Sequence, residues 1–456
     1  MNTNLVSRFL GPLGTALMLD GLGGQCSQAQ TNDTASIIAE LQKQVAALRE
    51  EVDRLKSART TNKAGGHAGD REPSATGLKI GFYGESKYRF PESGANAFDA
   101  HRYVLAPSYR INDWLSFHSE IEFEHGGVDE TVNGGRNRFD GAFEIEQFYV
   151  DLLLHERFNI RSLGIDLVPV GRINLHHEPT TFYSTERPEL YREIIPSTWF
   201  EPAVSVFGKL TDSLDYKLTL SAGLEDSIAT PSSAATATRP AGFAEPGITG
   251  RGGVRDSRPR ARRADVNSLA YAGRLSYHGP PGLDASTSFY VTQVKGPAAN
   301  ATLALFDVEA VYRVPKTGLE LRGDFAYWHI GSPQNLVVNN NTSTTDNVGD
   351  AIFGWYLEAA YHLSPEAWRN GRLQDADIVP FVRYSSIVTQ TGLATPGVEE
   401  DNGRANKDFV TTGVAWFLNS NFVLKFDWRH NLNGSTASKT DANAQDYFQI
   451  GAGLSF

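Results

Sequence analysis

The side chains best suited to chemistry are concentrated in one stretch of the chain, residues 169–198. It contains His176-His177-Glu178, residue types that can ligate a metal ion. Adjacent histidines point apart in a strand, however, and no third ligand is evident nearby, so we expect no metal site. The chain has no Gly-x-Ser-x-Gly, no His-Glu-x-x-His and no phosphate loop, and no spacing of serine and histidine singles out a triad. We therefore expect no catalytic residue, no cofactor and no enzyme.

The same stretch is dense in charged side chains, which would select ions if the segment lay at a narrow point of a pore. Fixed charges at a narrow point decide which ions pass, and its prolines would stiffen the segment. A well-solvated surface loop is the alternative interpretation. The charged residues and histidines of this stretch are Arg172, His176, His177, Glu178, Glu186, Arg187, Glu189, Arg192 and Glu193.

A second set of charges lies on predicted strands, at positions with the parity of the polar strand face. We expect these side chains to face a common interior, across from residues 169–198. The alternative is that each is a rim charge or a partner of Glu120, Glu122, Asp307 or Glu309. The predicted interior residues are Arg102, Arg110, Glu120, Glu122, Arg274, Arg313, Arg322, Arg383, Lys425 and Arg429.

A third set is the basic run at 251–263, which is unusual in a chain with a net charge of −11. It could bind anionic lipid sugars or draw anions toward an opening. A simply solvated run is the alternative. Its members are Arg251, Arg255, Arg258, Arg260, Arg262 and Arg263.

The elements that must position these charges are β-strands, because apolar residues recur at every second position from Leu78 onward. For example, Leu115, Phe117, Ile121 and Phe123 alternate with charged or polar neighbours. A charged face on so many strands cannot fill a dry core, so it must line water. An apolar lipid-facing set with a wet inner set is typical of a transmembrane β-barrel.

The spacing predicts an all-β, 16-stranded antiparallel transmembrane barrel, a size that leaves an aqueous channel. Short turns such as Asn112-Asp113 alternate with long polar segments such as 226–267, as expected for the two faces of an outer-membrane barrel. Strands are predicted near 78–90, 101–110, 114–125, 142–154, 158–168, 199–210, 214–225, 268–278, 284–294, 302–314, 318–330, 351–363, 377–388, 408–418, 421–430 and 446–456.

The last ten residues form the cleanest predicted strand. Phe448, Ile450, Leu454 and Phe456 alternate with small or polar residues, and the chain ends on an aromatic residue. About ten residues is the length that a tilted strand needs to cross a bilayer. The pattern resembles the terminal signal strand that the assembly machinery of bacterial outer-membrane barrels recognises. An ordinary final strand is the alternative.

The N-terminal region has a different composition. Residues 1–29 are predicted to be a secretory signal peptide. Residues 30–57 contain a heptad helix, predicted as a short periplasmic coiled coil that either self-associates or packs on the barrel. Residues 58–77 are predicted to be a flexible linker, and residues 78–456 the barrel. The seam residues are Ile38, Leu41, Val45, Leu48, Val52 and Leu55.

Composition narrows the classes further. The acidic balance argues against nucleic acid as a partner. No uninterrupted apolar run of about twenty residues follows the N-terminus, so no transmembrane helix is expected.

A family resemblance adds to these patterns. Residues 98–105, 119–125 and 143–150 resemble the front half of the phosphate-selective porin O/P-like group. The most specific likeness is Val168-Pro169-Val170-Gly171 with His177-Glu178-Pro179-Thr180-Thr181-Phe182-Tyr183 and residues 195–201. The resemblance implies a homotrimeric outer-membrane pore in a Gram-negative bacterium, with the segment after the fifth strand folded into the lumen as the constriction. The lysine-rich ladder that phosphate selectivity calls for is not visible, and mixed charge stands in its place.

The resulting hypothesis is an outer-membrane porin for passive diffusion of small hydrophilic solutes or ions, including anions such as phosphate. Its expected partners are outer-membrane lipid and lipopolysaccharide, the barrel assembly machinery and two further copies of the chain. The alternatives are a structural tether to the cell wall and a barrel enzyme that acts on lipid.

Overall fold

The computed structural model describes Lys43 and residues 77–126, 141–228, 245–261, 264, 266–340, 347–368, 370–393, 405–433 and 445–456. Lys43 is helical. The predicted signal peptide, the rest of the coiled-coil helix and the linker up to residue 76 lie outside the described residues, as do Arg262 and Arg263. Among the described helices, none is both long and apolar enough to cross a membrane.

The predicted 16-stranded antiparallel barrel is confirmed. Each strand pairs with the next along the chain, and β1 pairs with β16 to close the sheet. The barrel strands are β1 Gly77–Pro91, β2 Ala97–Arg110, β3 Leu115–Glu124, β4 Phe143–His155, β5 Phe158–Leu167, β6 Phe200–Thr211, β7 Leu214–Ala222, β8 Leu269–His278, β9 Leu283–Lys295, β10 Asn300–Arg313, β11 Leu319–Gly331, β12 Gly349–Tyr361, β13 Asp377–Leu393, β14 Asn406–Asn419, β15 Phe422–Asn431 and β16 Tyr447–Ser455. Two short strands outside the barrel, Ser227–Ile228 and Glu245–Pro246, pair with each other.

The two ends of the barrel differ. We call the end that carries the β2–β3 turn and both ends of the barrel chain the turn end, and the opposite end the loop end. Long connections leave the loop end, as predicted, but the connections at 92–96 and 296–299 are short. At the turn end, the connection at 362–376 is long and includes the 3₁₀ turn Glu366–Trp368.

Outward-facing side chains are large and apolar, because strand geometry places alternate residues on one face. Leu78, Leu357 and Phe98 are 64%, 61% and 56% exposed, which suits contact with hydrocarbon. Outward aromatic residues collect near both ends, as in the aromatic girdles of membrane barrels. The loop-end set includes Tyr88, Phe98, Phe143, Tyr271 and Trp428, and the turn-end set includes Tyr109, Trp114, Tyr277, Tyr312 and Tyr361.

A register shift in the β3–β4 pair explains why both faces of β4 look polar in sequence. The pairing slips between Glu120 and Ile121, where Glu120 pairs with Gln147 but Ile121 pairs with Ile145. This bulge changes which residues of β4 face inward. Before the bulge, the buried residues of β4 are even-numbered, Glu144 and Glu146. After the bulge they are odd-numbered, Tyr149 and Asp151.

The inner face does not line water throughout, because the loop-end half of β8 to β12 differs from the charged strand faces predicted to be wet. There the inward residues are apolar and form a dry core with the connecting loops. Trp199 of the β5–β6 loop packs its ring 4.6 Å from that of Tyr290 and 6.2 Å from that of Trp328. The wall residues of this core include Ala270, Ala272, Tyr290, Val294, Ala301, Leu303, Leu305, Ala326, Trp328, Ile330 and Ile352.

Candidate functional site

The central feature inside the barrel is the loop between β5 and β6, residues 168–199, which we call the inner loop. Asn174 closes its neck: its Nδ2 donates to Val168 O at 2.9 Å, and its Oδ1 accepts from Trp199 N at 2.7 Å. The loop contains two four-residue helices, α1 Arg172–Leu175 and α2 Leu190–Glu193. With its neck joined and its apolar side chains buried, the loop is a compact unit inside the lumen.

Charged side chains of β11 to β15 hold the inner loop from one side. Arg322 Nη1 donates to Thr181 O at 2.9 Å, and Lys425 Nζ donates to Ser184 O at 3.0 Å. Asp427 Oδ2 accepts from Thr185 N at 2.6 Å. These are charge-assisted bonds to the loop's own polar groups, so the wall charges fix the loop in place.

The N-terminal strands hold the loop from the other side. On β1, Lys87 Nζ and Arg89 Nη2 both contact Glu186 Oε1, at 2.7 and 2.5 Å. Burial by itself raises the pKa of Glu186, but Lys87 and Arg89 hold it well below its usual range. On β2, the buried Arg102 pairs with Glu85 at 2.8 Å and donates to His177 O of the loop.

Part of the β7–β8 connection, residues 245–261, folds over the inner loop; we call it the cover segment. Ile248 and Val254 are fully buried in the dry core. Arg258 donates to Thr198 O of the inner loop, and Arg260 Nη1 contacts Glu144 Oε1 of β4 at 3.0 Å. The cover segment therefore reaches from the inner loop to the opposite wall.

Between β1–β4, the inner loop and the cover segment lies a cavity of about 790 Å³. Its charges are mixed. The acidic side chains come mainly from β1 to β4, and several of the basic ones from the two inner segments. The acidic residues are Glu85, Asp99, Glu122, Glu124, Glu144, Glu146, Glu186 and Glu189, and the basic ones are Lys87, Arg89, Arg102, Arg187, Arg192, Arg255, Arg258, Arg260 and Arg429.

The arginines of the two inner segments crowd one another. Burial and the neighbouring Arg260 and Arg255 lower the pKa of Arg258, and burial and Arg192 lower that of Arg255. Guanidinium groups stay protonated at neutral pH despite such shifts. The cluster therefore carries positive charge that an anion in the cavity would stabilise.

The structure distributes the predicted loop residues over two roles. Glu186, Arg187, Glu189 and Arg192 line the cavity. The others do not line it, and several are anchors: Glu193 pairs with Lys407 of β14, and the backbone N of Arg172 donates to Glu309 of β10 at 2.5 Å. His177 and Glu178 are buried, and His176 is half-buried.

The predicted wall residues separate in the same way. Arg102, Glu122 and Arg429 line the cavity. Arg110 and Arg313 lie at the turn end, as the rim interpretation holds: Arg110 contacts its own turn at Asp113, and the Arg313 side chain is 66% exposed beside Glu320. The remaining ones are Glu120, buried beside His177, and Arg274, Arg322, Arg383 and Lys425, which bond wall carboxylates or the inner loop.

Sequence reasoning missed the position of the cover segment. Arg255, Arg258 and Arg260 line the cavity, and Arg258 is only 4% exposed, so the solvated interpretation is wrong for Arg258. Apolar Ile248 and Val254 within a polar, Arg-rich stretch were the available signal, since a solvated loop has no need of them. Tyr83 and Lys407 were also missed as partners of the inner loop.

Comparisons with known proteins add the following. No protein-family model matches the chain. An uncharacterized protein of Aquifex aeolicus (strain VF5) is 28% identical over 297 residues, which cover 63% of this chain. The chain spans about 62% of the length of that relative.

Solved outer-membrane proteins are similar to the chain at low identity. OmpF of Salmonella typhi, in a complex with daunomycin, is 11% identical, with 84% of this chain and 98% of that chain covered and a TM-score of 0.52. The outer membrane channel DcaP of Acinetobacter baumannii is 12% identical, with 85% and 99% covered and a TM-score of 0.49. The closed 16-stranded sheet and the likeness to OmpF together show that the chain has a porin-like barrel fold.

Proposed function

We propose that this protein is an outer-membrane channel for passive diffusion of small hydrophilic solutes, with a preference for anions. One observation carries the anion preference. Arg187, Arg192, Arg255 and Arg258 line the cavity, and among the described residues no carboxylate oxygen lies within 4.0 Å of their guanidinium nitrogens. Positive charge without an ion-pair partner in a low-dielectric recess attracts anions and lowers their desolvation cost.

The acidic wall opposite these arginines gives the cavity a transverse field. Glu122, Glu124 and Glu144 face the arginines across the cavity, and Arg260 neutralises part of that wall through Glu144. A solute that passes there can orient its dipole between the two sides. Small anions and dipolar solutes therefore fit the site better than simple cations.

Membrane placement rests on the outer surface. The outward apolar residues and the aromatic girdles match a barrel that crosses a bilayer. The resemblance to the phosphate-selective porin O/P-like group supports an outer-membrane location, a homotrimer and phosphate among the solutes. The loop end would face outward and meet lipopolysaccharide, and the N-terminal helix would lie in the periplasm.

The test is planar-bilayer conductance of the refolded full chain, with the reversal potential measured under a KCl gradient. We expect conductance steps in multiples of three and a reversal potential of the sign that chloride preference gives. The triple variant Arg187→Gln, Arg192→Gln, Arg255→Gln should shift that potential toward cation preference. Added inorganic phosphate should reduce the chloride current of the wild type more than that of the variant.

Arg157→Gln is the matched control, because Arg157 is an exposed arginine of the β4–β5 turn, away from the cavity. It should leave the reversal potential unchanged. An unchanged reversal potential in the triple variant would contradict the proposed role of the arginines in anion preference. Absence of current from correctly folded protein would overturn the channel proposal and favour the tether.

A further inference from the structure

The contact between the inner loop and β3–β4 is a cluster of metal-ligating groups that the proposed channel function does not use. His177 Nε2 lies 3.6 Å from Glu146 Oε2 and 4.0 Å from Glu120 Oε2. The hydroxyl of Tyr83 lies 2.7 Å from the same nitrogen and 3.3 Å from Glu146 Oε2. The side chains of His177 and Glu146 are each 1% exposed, and that of Glu120 is 8% exposed.

The imidazole of His177 is held in a ligating orientation. Its Nδ1 lies 2.9 Å from Asn174 O, a carbonyl that can only accept a hydrogen bond. Nδ1 therefore carries the proton, and the lone pair of Nε2 points toward the two carboxylates and Tyr83. Histidines that bind metals are oriented in this way, by a hydrogen bond from the second ring nitrogen.

An independent feature points to a missing ligand. Glu120 Oε2 is buried and has no hydrogen-bond partner among the described residues, yet it is directed at His177 Nε2. An unpartnered carboxylate oxygen in a buried site is costly. Glu122 adds a third buried carboxylate close by, while the neighbouring Arg102 already pairs with Glu85.

We propose that Glu120, Glu146 and His177 form a divalent metal site of the zinc class, with the hydroxyl of Tyr83 or a water as fourth ligand. Tetrahedral zinc with bonds of about 2.1 Å places its ligand atoms roughly 3.4 Å apart. The 3.6 and 4.0 Å separations need only a small contraction. Tyr83 would give up its bond to Nε2 and keep its contact with Glu146.

Mixed nitrogen and carboxylate ligands favour zinc and its transition-metal neighbours over calcium or magnesium. Access is provided by the cavity, because Glu146 lines it. The bound ion would join the inner loop to β3 and β4. It would therefore fix the position of the inner loop inside the barrel, a role independent of which solute passes.

The test is equilibrium dialysis of the refolded, tag-free full chain against ⁶⁵Zn²⁺ in the presence of excess Ca²⁺. The Ca²⁺ occupies clusters made only of oxygen ligands, such as Asp307, Glu309 and Asp324, and so keeps zinc out of them. A second cluster, Asp99, His101 and His125, lies near the loop end and is removed in all samples by His125→Gln. We expect one equivalent of bound zinc in this background. His177→Gln and Glu120→Gln should each weaken binding by more than about tenfold.

His176→Gln is the matched control, since His176 is adjacent in the chain but is not part of the cluster. It should retain the zinc. X-ray absorption of the loaded protein should show one imidazole and otherwise oxygen ligands. Heat-modifiable migration of each variant confirms that the variant is folded. Glu120→Gln removes the negative charge but preserves the size and shape of the side chain. Equal zinc binding by the background protein and Glu120→Gln, or no binding by either, would overturn the proposal.

Discussion

At the residue scale, the interior is organised by buried charges that find partners across the boundary between wall and loop. Lys407 of β14 and Glu193 of the inner loop have side chains only 1% and 5% exposed. Such a pair contributes little net stability compared with apolar residues, but loss of one partner leaves a buried charge uncompensated. Pairs of this kind therefore enforce the position of the loop.

Replacement of Lys407 alone should be strongly destabilising. We expect Lys407→Met to lower the free energy of unfolding by about 3–5 kcal/mol, because Glu193 is left charged and buried. Urea titration of the protein refolded in lipid vesicles measures this. Addition of Glu193→Gln should restore most of the loss. Equal stability of the single and double variants would contradict the assigned pairing.

His362 gives the turn end a dependence on pH. Hydrogen bonds to Asp377 and Glu320 raise its pKa from 6.5 to about 9, and it also contacts Tyr183 of the inner loop at 3.1 Å. A raised pKa means that the folded state favours the protonated imidazole. The stabilisation is complete below about pH 6.5 and is lost as the pH rises through about 9.

His362→Asn should therefore lower the unfolding temperature near neutral pH and have little effect above the pKa of His362. Thermal unfolding followed by heat-modifiable migration, at a series of pH values, checks this. His155→Asn, at the β4–β5 turn, is the control for loss of a turn-end histidine. A constant difference between wild type and His362→Asn across the series would rule out the titration.

At the element scale, a glycine without a side chain allows the cover segment to lie close to the inner loop. Gly253 has φ of +61°, and a Cβ there would lie 2.1 Å from Glu193 O of the inner loop. Gly453 of β16 gives similar room, since a Cβ there would lie 2.6 Å from the Cβ of Pro179. Close backbone approach at these two points lets the inner segments pack against each other and against the wall.

Gly253→Ala should loosen the cover segment from the inner loop. We expect a loss of about 1–3 kcal/mol, from the strained backbone and the clash with Glu193 O. Limited proteolysis of the β7–β8 connection and the urea midpoint are the readouts. Gly371→Ala is the control, because nothing lies within 4 Å of its added Cβ. Equal cleavage rates in both variants would contradict the packing of the cover segment.

At the scale of the whole molecule, the barrel closes where the first and last strands meet. Phe82 and Phe456 exchange two backbone hydrogen bonds of 2.8 Å, and their rings lie 5.4 Å apart. Phe448, Ile450 and Leu454 alternate along the outer face of β16. Phe456 thus completes the seam between β1 and β16.

Phe456→Ala should lower the amount of folded barrel in the outer membrane of cells several-fold. It should change spontaneous refolding into vesicles little, because one exposed ring contributes little to the closed sheet. Heat-modifiable migration measures both. Phe306→Ala removes an outward ring of β10 that is 50% exposed and is the control. Equal losses in cells for both variants would remove the signal role of the C-terminal strand.

The sequence by itself determined the number and order of the strands, because period-2 alternation is a local property that survives in each segment. It also indicated the inward parity of residues such as Arg102 and Lys425. The bulge at Glu146 defeated local parity, since a register shift depends on the partner strand. The apolar inward residues of β9 to β11 were visible in the sequence, but the same pattern suits a lipid face.

The tertiary structure alone decided which charges meet water. Arg322, Arg383 and Arg429 each lie on the predicted polar face of their own strand. Of the three, only Arg429 lines the cavity. Loops far apart in the chain pack inside the barrel, and nothing local to a strand records where a loop will pack. The cavity and the His177 cluster are for the same reason products of long-range contacts, between residues 94 positions apart in the case of Tyr83 and His177.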